Sequence, residues 1–167
     1  MQRIREVMEK NILKVTSAIV LAAVLSNTAV ASDTTQLGLG VGITGDTTTL
    51  RGTIDLDNSL RLEPYFGFSY KDPNGGKSTT NLKIGTALHV KQALTNIING
   101  YYGGFFGINN YDNGVTSSTI VNLGPVAGVE YAFDKQFTLG AEVRLNFGLG
   151  DDTVIGTNSA VLLRYYF

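Results

Sequence analysis

From Gln36 to the last residue the sequence alternates apolar and polar positions in eight stretches, and the apolar face of each is free of charge. Alternation at period two sends successive side chains to opposite faces of an extended strand, so the chain is committed to sheet with two different surroundings. The stretches run Gln36 to Thr44, Thr48 to Leu56, Ser59 to Lys71, Thr79 to Lys91, Asn96 to Tyr111, Thr119 to Asp134, Gln136 to Gly150, and a terminal one from Ser159 to Phe167. Clusters of Gly, Asp, Asn, Pro or Lys part them. The contrast is sharpest in the seventh, where Phe137, Leu139, Ala141, Val143, Leu145 and Phe147 oppose Thr138, Glu142, Arg144 and Asn146. It is weakest in the fifth, where Gly100, Gly103, Gly104 and Gly107 blur the faces and Ile98, Tyr102, Phe106 and Ile108 are read as outward.

Alternation alone does not say which face is outside. A soluble sandwich turns its apolar faces inward, whereas a membrane barrel turns them to lipid. Lipid outside is favoured by the charge-free apolar faces, by stretches about as long as a tilted membrane strand, and by aromatics gathered at their ends. Tyr131, Phe133, Phe137, Tyr165 and Phe167 would form an inner girdle, and Tyr70, Phe106 and Phe147 an outer one. Tryptophan is absent from both. Eight is also an even number, as a bacterial barrel requires. The expected fold is an all-β, eight-stranded antiparallel up-and-down transmembrane β-barrel, preceded by a cleavable signal peptide helix.

The start of the chain carries the matching address. Lys10 and Lys14 precede an apolar run from Val15 to Leu25, and Ala29-Val30-Ala31 gives the small-x-small pattern of a secretory cleavage site. The expected division is a signal peptide over 1–31, packed little against the rest, and a barrel domain over 32–167. Met1 and Met8 both offer a start. Four of thirteen basic and two of fourteen acidic residues precede Ser32, so the remainder carries nine against twelve, a net charge of −3. That balance argues against nucleic-acid binding. Cysteine is absent, so an exported chain must hold together without disulfides, which a closed hydrogen-bonded sheet can do.

With both termini periplasmic, the links at Asp57-Asn58, after Lys91 and at Asp134-Lys135 fall inside. The segments near Asp46, Asp72 to Ser78, Asn110 to Ser118 and Asp151 to Thr157 fall outside. Pro64 and Pro125 sit within strands, where they cannot donate to a ladder. Gly124 before Pro125 predicts a bulge, while Pro64 has no such explanation.

The hairpin from Gly124-Pro125-Val126-Ala127-Gly128-Val129-Glu130-Tyr131-Ala132-Phe133 through Asp134-Lys135 into Gln136-Phe137-Thr138-Leu139-Gly140-Ala141-Glu142, with the terminal Phe167, resembles the C-terminal half of small outer-membrane β-barrel proteins of the OmpX and OmpA-barrel kind. The resemblance spans the mature chain and implies a fold and a bacterial outer-membrane location more than an activity. It implies contact with outer-membrane lipid and lipopolysaccharide, use of the Sec translocon, and recognition of Tyr165 and Phe167 by the barrel-assembly machinery. A monomer without cofactor or metal is expected. With the sequence ending at Phe167, no peptidoglycan-binding domain like that of OmpA is expected to follow, and the outer connections are expected to be shorter than those of OmpX.

This register points Arg51, Asp55, Arg61, Glu63, Lys83, Glu130, Glu142, Arg144 and Arg164 inward, with His89 and Lys91 nearer one end. Opposite charges in a narrow lumen must pair, because an isolated ion there is costly. Glu130, Glu142, Arg144 and Arg164 are expected to form a salt-bridged plug that fills the barrel, serving an envelope or surface-contact role. The alternative is an ion gate whose pairs exchange partners and give a small passive conductance. An enzyme acting on lipid A or phospholipid would need a nucleophile with a base. His89 is the only histidine, and it turns inward with no triad near it in sequence. Adhesion through outer segments bearing Asp46, Asp72, Asp112, Asp151 and Asp152 is a further possibility, and Asp151-Asp152 alone is weak support for calcium. Gly38-Leu39-Gly40 carries no nucleotide signal, because no helix follows.

Overall fold

The computed structural model describes residues 35–44, 47–72, 76–150 and 153–167. The expected signal peptide and its cleavage residues Ala29 and Ala31 lie outside them. Eight strands follow one another: β1 (Gln36–Thr44), β2 (Thr47–Asp55), β3 (Leu60–Lys71), β4 (Thr79–Ala93), β5 (Ile98–Asp112), β6 (Ser117–Ala132), β7 (Phe137–Leu149) and β8 (Val154–Tyr166). Each pairs antiparallel with the next, and β8 returns to β1, closing the barrel. Closure removes the free sheet edge that would otherwise invite association. Beyond the last strand residue, the Phe167 N–H donates to the Leu37 carbonyl at 2.9 Å.

Strand parity agrees with the sequence in all eight elements, the glycine-blurred β5 included: Tyr102 and Phe106 are 58% and 51% exposed, while Tyr101 and Phe105 are buried inside. Strand ends differ more. β5 and β6 run on to Asp112 and back from Ser117, and β8 begins at Val154, so the loops expected over Asn110 to Ser118 and Asp151 to Thr157 are shorter. The pairs Tyr111 with Ser118 and Asp112 with Ser117 carry the ladder past the last alternating residues.

The three links at one end share one design. The N–H groups of Leu56, Leu94 and Phe133 donate to the carbonyls of Leu60, Ile98 and Phe137. Inside each link Asp57, Thr95 or Asp134 accepts two backbone N–H groups, from Ser59 and Leu60, Ile97 and Ile98, or Gln136 and Phe137. Short oxygen-bearing side chains that bond the backbone just ahead are what make Asp and Thr turn formers.

Neither proline causes a bulge. The β6–β7 register is the same on both sides of Gly124 and Pro125, Leu123 facing Phe147 and Val126 facing Arg144, with only the ladder interrupted between. The bulge expected at Gly124 is therefore absent, because a two-residue gap on both strands keeps the count equal. Gly124 is needed for another reason: a Cβ there would run into the Leu145 carbonyl. Pro64 stands in an identical gap of β2–β3, between the pairs Arg51 with Tyr65 and Ile54 with Leu62. Its ring faces outward over Gly52, where an added Cβ would sit 3.3 Å from its Cγ. Both prolines thus occupy the seam where no N–H is used.

Candidate functional site: the charged lumen

The barrel is inverted relative to a water-soluble protein. Ile84, Leu88, Val129, Val143, Val161 and Leu163 stand exposed on the outside, while Arg51, Asp55, Arg61, Glu63, Glu130, Glu142 and Arg164 are buried inside. The aromatic residues at the link end touch in two groups, Tyr131 with Phe133 and Phe137, and Tyr165 with Phe167. A continuous exposed apolar belt of this extent marks a surface made for an apolar neighbour rather than water.

Inside, nine charged side chains form one chain of alternating sign. Lys91 Nζ donates to Asp55 at 2.6 Å, and Asp55 accepts from Arg61 Nε at 2.7 Å. Arg61 reaches Glu130 at 3.0 Å, which Arg164 also contacts at 2.7 Å. Arg164 then meets Glu63 at 2.8 Å, and Glu63 takes Arg51 at 2.6 Å. Arg51 continues to Glu142 at 3.2 Å, and Glu142 accepts from Arg144 Nε at 2.6 Å. Each of these four carboxylates is shared by two cations, so none of them lacks a partner. Each arginine also lies against a ring: Arg61 on Tyr166, Arg164 on Tyr101, Arg51 on Tyr65, and Arg144 between Tyr65 and Phe105 at 4.9 Å from each centroid. Delocalised guanidinium planes suit such buried sites better than ammonium groups do.

The chain divides the lumen. On the link side lies a cavity of about 430 Å³ bordered by Asp55, Arg61, Lys91 and Glu130. On the loop side lies a second, of about 130 Å³, bordered by Arg51, Lys83 and Arg144. Between them the side chains of Glu63, Arg164 and Glu142 have no exposed surface. Glycines make room for the rings. A Cβ at Gly107 would collide with the Tyr65 hydroxyl, and one at Gly128 with the Tyr101 ring. The Tyr101 hydroxyl in turn donates to Glu142 at 3.2 Å.

Of the residues read as inward from sequence, eight of the nine named for the network, all except Lys83, join this chain, together with Lys91. Lys83 lines the loop-side cavity instead, where its Nζ donates to Thr47 at 3.3 Å. Three strands were expected to carry the plug; it draws on β2, β3, β4, β6, β7 and β8. His89 is not near an end. It is fully buried at the level of the central carboxylates, 4.0 Å from Glu142 and stacked on Tyr101, and neither ring nitrogen has a hydrogen-bond partner. Its place inside the wall separates it from the outer face that a lipid substrate would meet. Tyr101 and Phe105 escaped the sequence reading, although the glycines of the neighbouring strands were the signal for rings inside.

A closed eight-stranded up-and-down barrel, apolar outside and charged within, is the architecture of small outer-membrane β-barrels. No protein-family model and no curated protein matches the chain in sequence. Solved structures share the fold. Neisserial surface protein A aligns at TM-score 0.57 and 18% identity, over 80% of this chain and 94% of that one. The Yersinia pestis outer membrane protein Ail aligns at TM-score 0.51 and 12% identity, over 80% and 99%. The N-terminal β-barrel domain of Pseudomonas aeruginosa OprF gives TM-score 0.50 and 15% identity, over 80% and 96%.

Proposed function

We propose that the protein is a non-enzymatic structural component of the bacterial outer membrane, a barrel whose lumen is sealed by its own salt bridges. The observation that carries this reading is the unbroken alternation from Lys91 to Arg144. An eight-stranded interior is just wide enough for its side chains, and here those side chains lock to one another across it. The apolar belt supplies the membrane contact, and the fold neighbours named as outer-membrane or surface proteins support the location. In this orientation the three short links face the periplasm and the loops face outward.

Reconstitution into planar bilayers tests the sealed lumen: the protein gives no discrete openings. Sustained unitary conductance in the unaltered protein would overturn the sealed barrel in favour of the passive channel. Heat-modifiable gel mobility in an outer-membrane fraction tests the location, and a soluble product without a heat shift would refute it.

A further inference from the structure

The turn that joins β5 to β6 at the loop end carries Asp112-Asn113-Gly114-Val115-Thr116. It repeats the design of the three short links, with Asn113 in the place of Asp57, Thr95 and Asp134. The Asn113 Oδ1 accepts the N–H of Val115 at 3.0 Å, the N–H of Thr116 at 2.8 Å and the Thr116 hydroxyl at 3.3 Å. The Asn113 N–H closes the turn onto the Thr116 carbonyl at 3.2 Å. Gly114 takes φ 74°, a conformation that costs little only where there is no Cβ. Its N–H donates to Asp112 Oδ1 at 2.7 Å. The backbone nitrogen after Asn113 is therefore bonded to a carboxylate, while the Asn113 side-chain carbonyl is bonded to three donors.

These contacts are the parts that an acyl transfer needs. The Gly114 nitrogen and the Asn113 Cγ belong to one short segment of chain, so nucleophile and electrophile meet without loss of translational freedom. Asp112 is placed on the proton that must leave the nitrogen, the position of a general base. As Cγ turns tetrahedral, negative charge develops on Asn113 Oδ1, and the Val115 and Thr116 donors already point at that atom. Gly114 is exposed to water and carries no side chain to hinder the attack.

We propose that Asn113 is a self-modification site, at which the Gly114 nitrogen attacks Asn113 Cγ and the side-chain amide is lost, leaving an acidic residue. The bond from the Gly114 nitrogen to Cγ forms and the Cγ–Nδ2 bond breaks. The Gly114 proton passes through Asp112 to Nδ2, which leaves as ammonia. Water then opens the succinimide ring at one of its two carbonyls, so that a carboxylate stands where an amide stood, with no change of oxidation state. Opened at Cγ, the product is an aspartate that the turn can hold, since Asp57 accepts the equivalent donors, the N–H and hydroxyl of Ser59 and the N–H of Leu60. The loop end of the barrel gains a negative charge beside Asp112.

The test incubates the purified full-length barrel at neutral pH, beside a synthetic peptide spanning residues 108–120, and follows the conversion of each asparagine by peptide mapping with mass spectrometry. A positioned base contributes about 100-fold or more in a dry active site; in a turn open to water, Asn113 is expected to convert about tenfold faster in the barrel than in the peptide. Asn99, also followed by a glycine but paired on both sides within β5, stays an amide. Asp112→Asn keeps an acceptor for the Gly114 N–H and removes the base, so it brings the rate in the barrel down to that of the peptide. Equal rates in the unaltered barrel and the peptide, or a rate in the barrel that Asp112→Asn leaves unchanged, overturns the site. Conversion of Asn99 as fast as Asn113 overturns it too, because the turn would then contribute nothing. Heat-modifiable mobility reports whether each sample is folded, and were Asp112→Asn not to fold, the ratio of barrel to peptide alone decides.

Discussion

At the scale of single residues, the lumen concentrates its stability in shared carboxylates. Glu63 accepts from both Arg51 and Arg164 and is fully buried. Glu63→Ala leaves two guanidinium groups short of an acceptor, a change that costs about 3–5 kcal/mol when a buried ion loses its partner. Urea unfolding of the refolded barrel in detergent reads this as a lower midpoint. At the link end Asp57 behaves oppositely, since it is fully exposed and local. The Ser59 N–H, the Ser59 hydroxyl and the Leu60 N–H all donate to its carboxylate, holding its pKa below the usual 3.8. The ionised form is the one the turn prefers, so its contribution is complete above that value and fades as pH falls below it. The stability difference between the native protein and Asp57→Ala, measured by urea midpoints from neutral pH downward, should therefore shrink in acid. The inward direction of Glu63 was readable from parity; its two arginine partners, on β2 and β8, were not.

At the scale of strands, glycine and aromatic positions are matched across the wall. Gly128 faces the Tyr101 ring, and a larger side chain must displace it and its hydrogen bond to Glu142. Gly128→Val is expected to cost about 1–3 kcal/mol, the scale of overpacking, and to alter the near-ultraviolet circular dichroism of the buried tyrosines. Gly156→Ala is the control, because nothing lies within 4 Å of the added Cβ, and its midpoint should not move. Periodicity made β7 plain and left β5 blurred for a physical reason: hydrophobicity cannot rank glycine against glycine, whereas shape can. The two proline seams were equally hidden, since a gap that is symmetrical on both strands leaves no trace in either strand's pattern.

At the scale of the whole molecule, closure puts a demand on β8, and the proposed recognition by an assembly machinery would put a second. Its terminal Phe167 is 61% exposed on the outside, with its backbone bonded to Leu37. Phe167→Ser should lower the amount of barrel assembled in cells, seen as loss of the heat-shifted band, while the refolded protein keeps its urea midpoint within about 0.5 kcal/mol, as exposed substitutions do. A matched drop in both would assign Phe167 to stability rather than to recognition during assembly. The amino-acid sequence by itself determined the strands, their count and which residues share a face, because a period of two is a local property that any extended segment displays. Only the tertiary structure decided the order of the ion pairs and the central place of His89. Those depend on the register between strands far apart in the chain: Arg51 and Glu142 meet across 91 positions of sequence, and no local pattern encodes that meeting.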